Sequence, residues 1–285
     1  LRIKGTEVGM KILGTGNQEQ AIEPVVSRIY DQTKESNGRG NGKTYVVQTP
    51  LLPSYRSVFN ILSNESKFSE FFNLLNGVPT KYSIFFRDTK SNIGMDYNIK
   101  FFNTYHYTVY APSNEAMQDA YQKGLPTWEI VNQETNVVKK DSLTEELVNF
   151  LRYHFQDNSV YIDGVTNAVS PYETAAYYTA GDVKSYYRLY TKLTSTGLSV
   201  AANLNDLSSA SAAHVIKDNE LYNIMSREYK FNTGDIATAT KIETSSHAVV
   251  HQVDKVLLYR SDLLDQFKKM TGKAGIRKKI NKSRR

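Results

Sequence analysis

The side chains best equipped for chemistry in this chain are its five histidines, His106, His154, His214, His247 and His251. A metal site would need at least two of them converging with a carboxylate, and only His247 and His251 are near in sequence. On a helix their i, i+4 spacing would chelate an ion. They stand instead in a run with Ala248, Val249, Val250 and Val253 that reads as a strand, where four residues span about 13 Å. The chain has no cysteine, which excludes disulfides, thiolate catalysis and Cys-zinc sites. No stretch has the form G-x-S-x-G, H-E-x-x-H or an EF-hand loop. Gly42-Lys43-Thr44 after a glycine-rich loop has the ending of a phosphate-binding P-loop. The first glycine of that motif would fall at Asn37, however, and a β-branched run follows where a helix should face the phosphates. A flexible hairpin-type loop is expected there. A general-acid carboxylate pair is assembled in space and leaves no local spacing, so the sequence neither indicates nor removes one. The expectation is a protein that is not an enzyme and that uses no metal and no cofactor.

The stronger signal is aromatic. The chain holds 20 tyrosines, many of them in the strand-rich stretch from 160 to 230. Alternation from Tyr186 to Leu193 puts Tyr186, Arg188, Tyr190 and Lys192 on one face and Tyr187, Leu189, Thr191 and Leu193 on the other. Exposed tyrosines offer broad contact area with a hydrogen-bonding tip. Tyr186 and Tyr190 are therefore candidates for a partner surface, beside the plainer reading of ordinary sheet faces.

These residues need elements to hold them. The organising stretch is Tyr107-Thr108-Val109-Tyr110-Ala111-Pro112-Ser113-Asn114-Glu115-Ala116-Met117, where a β-rich run meets a proline and turns to helical spacing. Pro112 is placed to open a helix, Ser113 to cap it, and Glu115 to meet the positive end of its dipole. Gly124 and Pro126 stop it. Ser142-Leu143-Thr144-Glu145 has the form of a capping box and predicts a helix with Leu147, Phe150, Leu151 and His154 on one face. Earlier, Val58, Ile61 and Leu62, then Phe68, Phe71, Leu74 and Leu75, predict two amphipathic helices. A hairpin-like insertion is expected around Asp88-Thr89-Lys90-Ser91-Asn92. Residues 1–52 read as short strands at Leu1–Lys4, Met10–Leu13 and Thr44–Val47 with a polar helix or loop between, too little for a domain.

At 285 residues with 40% apolar content the chain can bury a large core. It has no run of about 18 apolar residues to span a membrane. The first residues have neither an initiator Met nor the apolar segment of a signal peptide, so a mature or truncated piece is expected, with any lipid-anchoring Cys upstream. The net charge of +6 is misleading. Nine Lys or Arg and no acid lie between Lys268 and Arg285, and the rest of the chain carries a net charge of −3. That is not the clustered basic face of a nucleic-acid-binding domain. The tail reads as a solvated terminus or as a segment that contacts anionic surfaces.

The junction from Tyr107 to Met117 resembles the first signature of the fasciclin (FAS1) domain family, a Thr-Val-aromatic-Ala-Pro-Ser/Thr block. Leu151-Arg152-Tyr153-His154-Phe155 is similar to that family's Tyr-His motif. His247-Ala248-Val249-Val250-His251-Gln252-Val253-Asp254-Lys255-Val256-Leu257-Leu258 is similar to its second signature. The three blocks stand in family order, with Ser113-Asn114 and Met117 replacing the commoner Thr-Asp and Phe. The resemblance implies an α+β fold, a wedge-shaped β-sandwich with packed helices. It divides the chain into 1–52 as the C-terminal part of a preceding fasciclin-like domain, 53–262 as a complete one, and 263–285 as a basic tail. It also implies an adhesion or interaction module at the cell surface or outside the cell, outer-membrane-anchored if bacterial, with a protein or glycan ligand. In some members the Tyr-His region binds partners, which points to Tyr153 and His154 with Leu151 and Phe155 beside them; the other reading of all four is core. A surface subunit that captures glycan or peptide for an outer-membrane uptake system, with the tyrosines as a stacking platform, is the alternative.

Overall fold

The computed structural model describes residues 2–34, 40–87, 97–102, 106–162, 169–194, 197–217, 223–231 and 242–272. The chain divides into two compact units, Leu1–Tyr55 and Arg56–Arg285.

In the first unit, β1 (Arg2–Lys4) and β2 (Lys11–Leu13) pair antiparallel, α1 (Thr15–Glu19) follows, and β3 (Val26–Asp31) pairs antiparallel with β4 (Lys43–Val47). Strand β3 was not expected. Its apolar Val26 and Ile29 are three apart, and a register shift between Val26 and Arg28 breaks the two-residue period that marks a strand. A small core of Met10, Ile12 and Val26 sits beneath Ile29 and Val47. Asn17, fully buried, ties the unit's ends together. Its Oδ1 accepts from the N–H groups of Gly14 (3.1 Å) and Leu52 (2.7 Å), and its amide donates to the Pro50 carbonyl (3.0 Å). Gly14 and Gly16 allow that approach, since a Cβ on either would stand 2.3 Å from the Leu52 oxygen or 2.5 Å from the Pro53 oxygen. The loop tested for phosphate binding lies partly outside the described residues, and β4 follows it.

The second unit opens with α2 (Val58–Asn64) and α3 (Ser69–Asn76), the two expected helices, which bury Ile61, Leu62, Phe71 and Leu74. The Ser57 hydroxyl caps α2 by accepting the Asn60 N–H. Strands β5 (Phe85–Arg87) and β6 (Tyr97–Ile99) pair antiparallel. The turn expected around Asp88–Asn92 lies outside the described residues.

Next come β7 (His106–Pro112), α4 (Asn114–Lys123), α5 (Trp128–Gln133), α6 (Val137–Tyr153) and β8 (Phe155–Asp157). Pro112 is the last strand residue, opposite Val253, and not the first of the helix. Ser113 caps α4 as expected, accepting the Ala116 N–H. Gly124 ends the helix with φ of 121°. Helix α6 begins six residues earlier than the capping box suggested, because Asn136, not Ser142, caps it by accepting the Lys139 N–H. Its first residues, Val137 and Val138, are exposed, so no apolar stripe announced the start.

The chain then forms β9 (Val169–Ala180), β10 (Val183–Thr194), β11 (Gly197–Ala201), β12 (Ala213–His214), β13 (Ile224–Phe231), β14 (Ile242–Val253) and α7 (Leu263–Thr271). Eight strands make one sheet in the order β12-β11-β10-β9-β8-β7-β14-β13. It is two four-stranded halves. A single residue pair, Gln156 with Thr174, joins them on one side. On the other, a bridge between Val215, the residue just past β12, and Val253 at the end of β14 joins the two halves, so the sheet curls on itself. Leu189 and Val200 of one half and Val109 and Val250 of the other are fully buried in the same core. The fold is α+β. Among the described residues no helix is long and apolar enough to cross a membrane.

The stretch expected to begin the basic tail is α7. Leu263 and Phe267, four apart on one helix face, are fully buried in the main core. The basic count of the segment hid that face, because Lys268 and Lys269 lie between the apolar residues and the rest of the tail.

Candidate functional site

The three sequence blocks meet in the middle of the second unit. Strands β7 and β14 lie side by side and parallel, in register from His106 opposite His247 to Pro112 opposite Val253. His154 ends α6 and is fully buried. Its Nε2 accepts the Leu257 N–H at 3.0 Å, so its Nδ1 carries the proton and donates to the Phe150 carbonyl at 2.9 Å. Burial pulls its pKa down to about 4, which keeps the ring neutral. Leu151, Tyr153 and Phe155 are buried with it, and the Tyr153 hydroxyl donates to the Arg188 carbonyl at 2.8 Å. The Tyr-His block thus has no side chain at the surface except Arg152.

His247 and His251 lie on β14. His251 is buried, with its Nε2 2.7 Å from the Val160 carbonyl oxygen. His247 stacks on His106 of the neighbouring strand at 5.3 Å. Its pKa is lowered, first by burial and then by Arg227 and His106. Asp254 is partly buried, and its carboxylate accepts the His214 N–H at 2.6 Å while its own N–H donates to the His214 carbonyl.

The tyrosine-rich hairpin has the expected faces. Leu189 and Thr191 are buried, Tyr187 and Leu193 pack toward the core, and Tyr186 and Arg188 are exposed. Tyr190 is half-buried. Where α6 crosses the hairpin, two clefts open. One, of about 460 Å³, lies between Glu145, Glu146 and Asn149 of α6 and Tyr178, Tyr187 and Tyr259. Here the rings of Tyr178, Tyr187 and Tyr259 follow one another at 5.1 and 4.6 Å. The Tyr259 hydroxyl donates to Glu146, which also pairs with Arg260 at 3.0 Å. Burial first, and Glu146 second, push the Tyr259 hydroxyl pKa far up, so it stays a donor. The other cleft, of about 410 Å³, lies between Lys100, Phe101 and Arg152 and the hairpin's Tyr177, Lys184 and Tyr186.

Arg152 and Tyr177 line both clefts and form the divide. The Arg152 guanidinium lies 5.2 Å from the Tyr177 ring centre, and the Lys184 ammonium 3.9 Å from it. Of the sequence candidates, Tyr186 lines the second of these clefts, whereas Leu151, Tyr153, His154, Phe155 and Tyr190 line neither. Arg152, Asn149, Tyr177, Lys184 and Tyr259 were not singled out, although Glu145, Asn149 and Arg152 fall at i, i+4 and i+7, which places them on one helix face. Which strand that face would meet depended on the topology. The arrangement can hold a ligand by ring contact, hydrogen bonds and charge; both volumes are in the usual range for ligand pockets.

No protein-family model and no curated protein matches this chain. Among solved structures it is similar to a FAS1 domain pair from the insect cell adhesion molecule fasciclin I, with 10% identity and a TM-score of 0.39 over 92% of this chain and 68% of that chain.

Proposed function

We propose that this chain is a FAS1-type interaction module that acts at the cell surface without catalysing a reaction. The observation that supports this is the convergence of the three family-like blocks. The two signature strands are parallel neighbours, and the histidine of the Tyr-His block accepts the N–H of Leu257, the next-to-last residue of the second signature. Residues so far apart in sequence that meet in one core behave as one structural motif. In this reading residues 1–52 are the C-terminal part of a preceding domain, and the complete domain starts near residue 53 and includes α7. On the same reading the protein sits outside the cell, anchored to an outer membrane if it is bacterial. With Leu151, Tyr153, His154 and Phe155 buried, partner contact falls to the exposed tyrosines around Arg152.

The second reading, capture of glycan or peptide for an uptake system, is favoured by the tyrosine-lined clefts. A plate coated with the purified protein tests the first. Cells should adhere well above an albumin-coated control, and adhesion should be competed by soluble protein. Adhesion at the albumin level would remove the adhesion reading.

A further inference from the structure

We infer that the cleft lined by Lys100, Arg152, Lys184, Tyr177 and Tyr186 binds an acidic saccharide, a glycan that carries carboxylate or sulfate groups. The inference rests on the interaction-module reading and names the ligand class of that site.

Charge is the first argument. Three cations line the cleft, and among the described residues none of the three is in an ion pair. Two acids line it as well: Glu173, which pairs with Arg188 at 3.2 Å, and Asp157, which accepts the Asn158 N–H at 2.9 Å, so the three cations outnumber the two carboxylates and only Glu173 has a cationic partner of its own. The Arg152 Nε is buried and has no hydrogen-bond partner among the described residues, so it is the half-buried guanidinium as a whole, and not this atom, that presents charge to the cleft. Lys184 and Arg152 rest against the Tyr177 ring, so their charge is held in place by a rigid aromatic and less ordering is required on binding.

The second argument is shape and chemistry. Tyr186 is 42% exposed, and its ring stands 6.3 Å from Tyr177 at 67°. That is a corner in which the C–H face of a sugar ring can pack on an aromatic face while its hydroxyls reach polar tips. A peptide is the other anionic candidate, and extended peptides gain most of their affinity from an unpaired sheet edge. The hairpin backbone beside this cleft is only partly paired, with β11 reaching β10 from Tyr190 onward and β8 reaching β9 at Thr174 alone, so hexaglutamate serves as the peptide probe. The backbone groups of Tyr177 are already held by the Asn149 side chain.

Titration calorimetry on the full chain tests this with four probes: a heparin tetrasaccharide, tetragalacturonate, neutral cellotetraose and hexaglutamate. At least one acidic saccharide should bind ten-fold or more tighter than cellotetraose, and which of the two does so distinguishes sulfate from carboxylate recognition. Lys100→Glu with Lys184→Glu, and separately Tyr186→Ala, should each weaken that binding at least ten-fold with circular dichroism unchanged. The basic C-terminal segment could attract the same probes, so Lys278→Glu with Lys279→Glu serves as the charge-matched control and should leave most of the binding. The inference is overturned if cellotetraose binds equally, if hexaglutamate binds as tightly as the saccharides, if no probe binds, or if only the tail variant loses affinity. Saccharide binding without cell adhesion would instead sink the adhesion reading and leave this one standing.

Discussion

The Asn149 side chain holds both backbone groups of Tyr177: its amide donates to the Tyr177 carbonyl at 2.9 Å, and its oxygen accepts the Tyr177 N–H at 3.3 Å. The contact replaces a missing piece of sheet. Between Glu173 and Tyr177 strand β9 bulges, and three residues stand opposite Tyr187 alone. Asn149 therefore fixes the hairpin against α6 at the divide between the clefts. Asn149→Ala should cost about 1–3 kcal/mol by leaving both groups unpaired. It should also speed hydrogen exchange at the Tyr177 amide. Asn149→Asp keeps the acceptor but turns a carboxylate toward the Tyr177 carbonyl, so stability should fall while that amide stays protected. Equal exchange at Tyr177 in all three proteins would mean the contact does not hold the hairpin.

His154 should make stability depend on pH in a defined window. Its pKa falls from 6.5 to about 4 on folding because burial disfavours the charged ring. The unfolded chain binds the proton first. Stability from this residue is complete above pH 6.5, declines as pH falls toward 4, and is flat below. The loss is about 3 kcal/mol at about 1.4 kcal/mol per unit. Denaturant melts of the parent and His154→Gln from pH 4 to 7 check it. The difference between the two should narrow toward pH 4, and parallel curves would contradict the assignment. His154→Ala, which also opens a cavity and orphans the Leu257 N–H, should cost about 3 kcal/mol at pH 7.

Asp254 should act through its acceptor oxygen. Asp254→Asn keeps an oxygen for the His214 N–H and should melt near the parent. Asp254→Ala and Asp254→Leu should each lose about 1 kcal/mol. Equal denaturant midpoints for all three variants would show that the hydrogen bond contributes nothing.

Helix α7 should belong to the folded unit. A chain ending at Asp262 lacks Leu263 and Phe267, both fully buried. It should be about 4 kcal/mol less stable than one ending at Gly272, at about 2 kcal/mol for each buried side chain. Matching midpoints for the two truncations would place α7 outside the cooperative core.

Local chemistry made much of the fold legible. The β7 to α4 junction, the paired helices α2 and α3, the faces of β10 and the burial of His154 all follow from spacing and capping. In each case the residue pattern and its nearest neighbours determine the outcome. The sequence by itself also determined that no cysteine chemistry operates and that the net positive charge lies in the last eighteen residues. Tertiary structure decided the rest. The start of α6 rested on the Asn136 cap, ahead of a first turn whose two valines face solvent. The α7 core face was hidden among lysines, and β3 was hidden by a bulge. The clefts were least legible of all. Arg152, Lys184 and Lys100 are ordinary surface cations until α6 is laid across a hairpin that begins about fifteen residues after it ends. Only the curled sheet brings their charges to one place, since long-range pairing is set by how whole faces bury against each other and no window of local sequence contains that information.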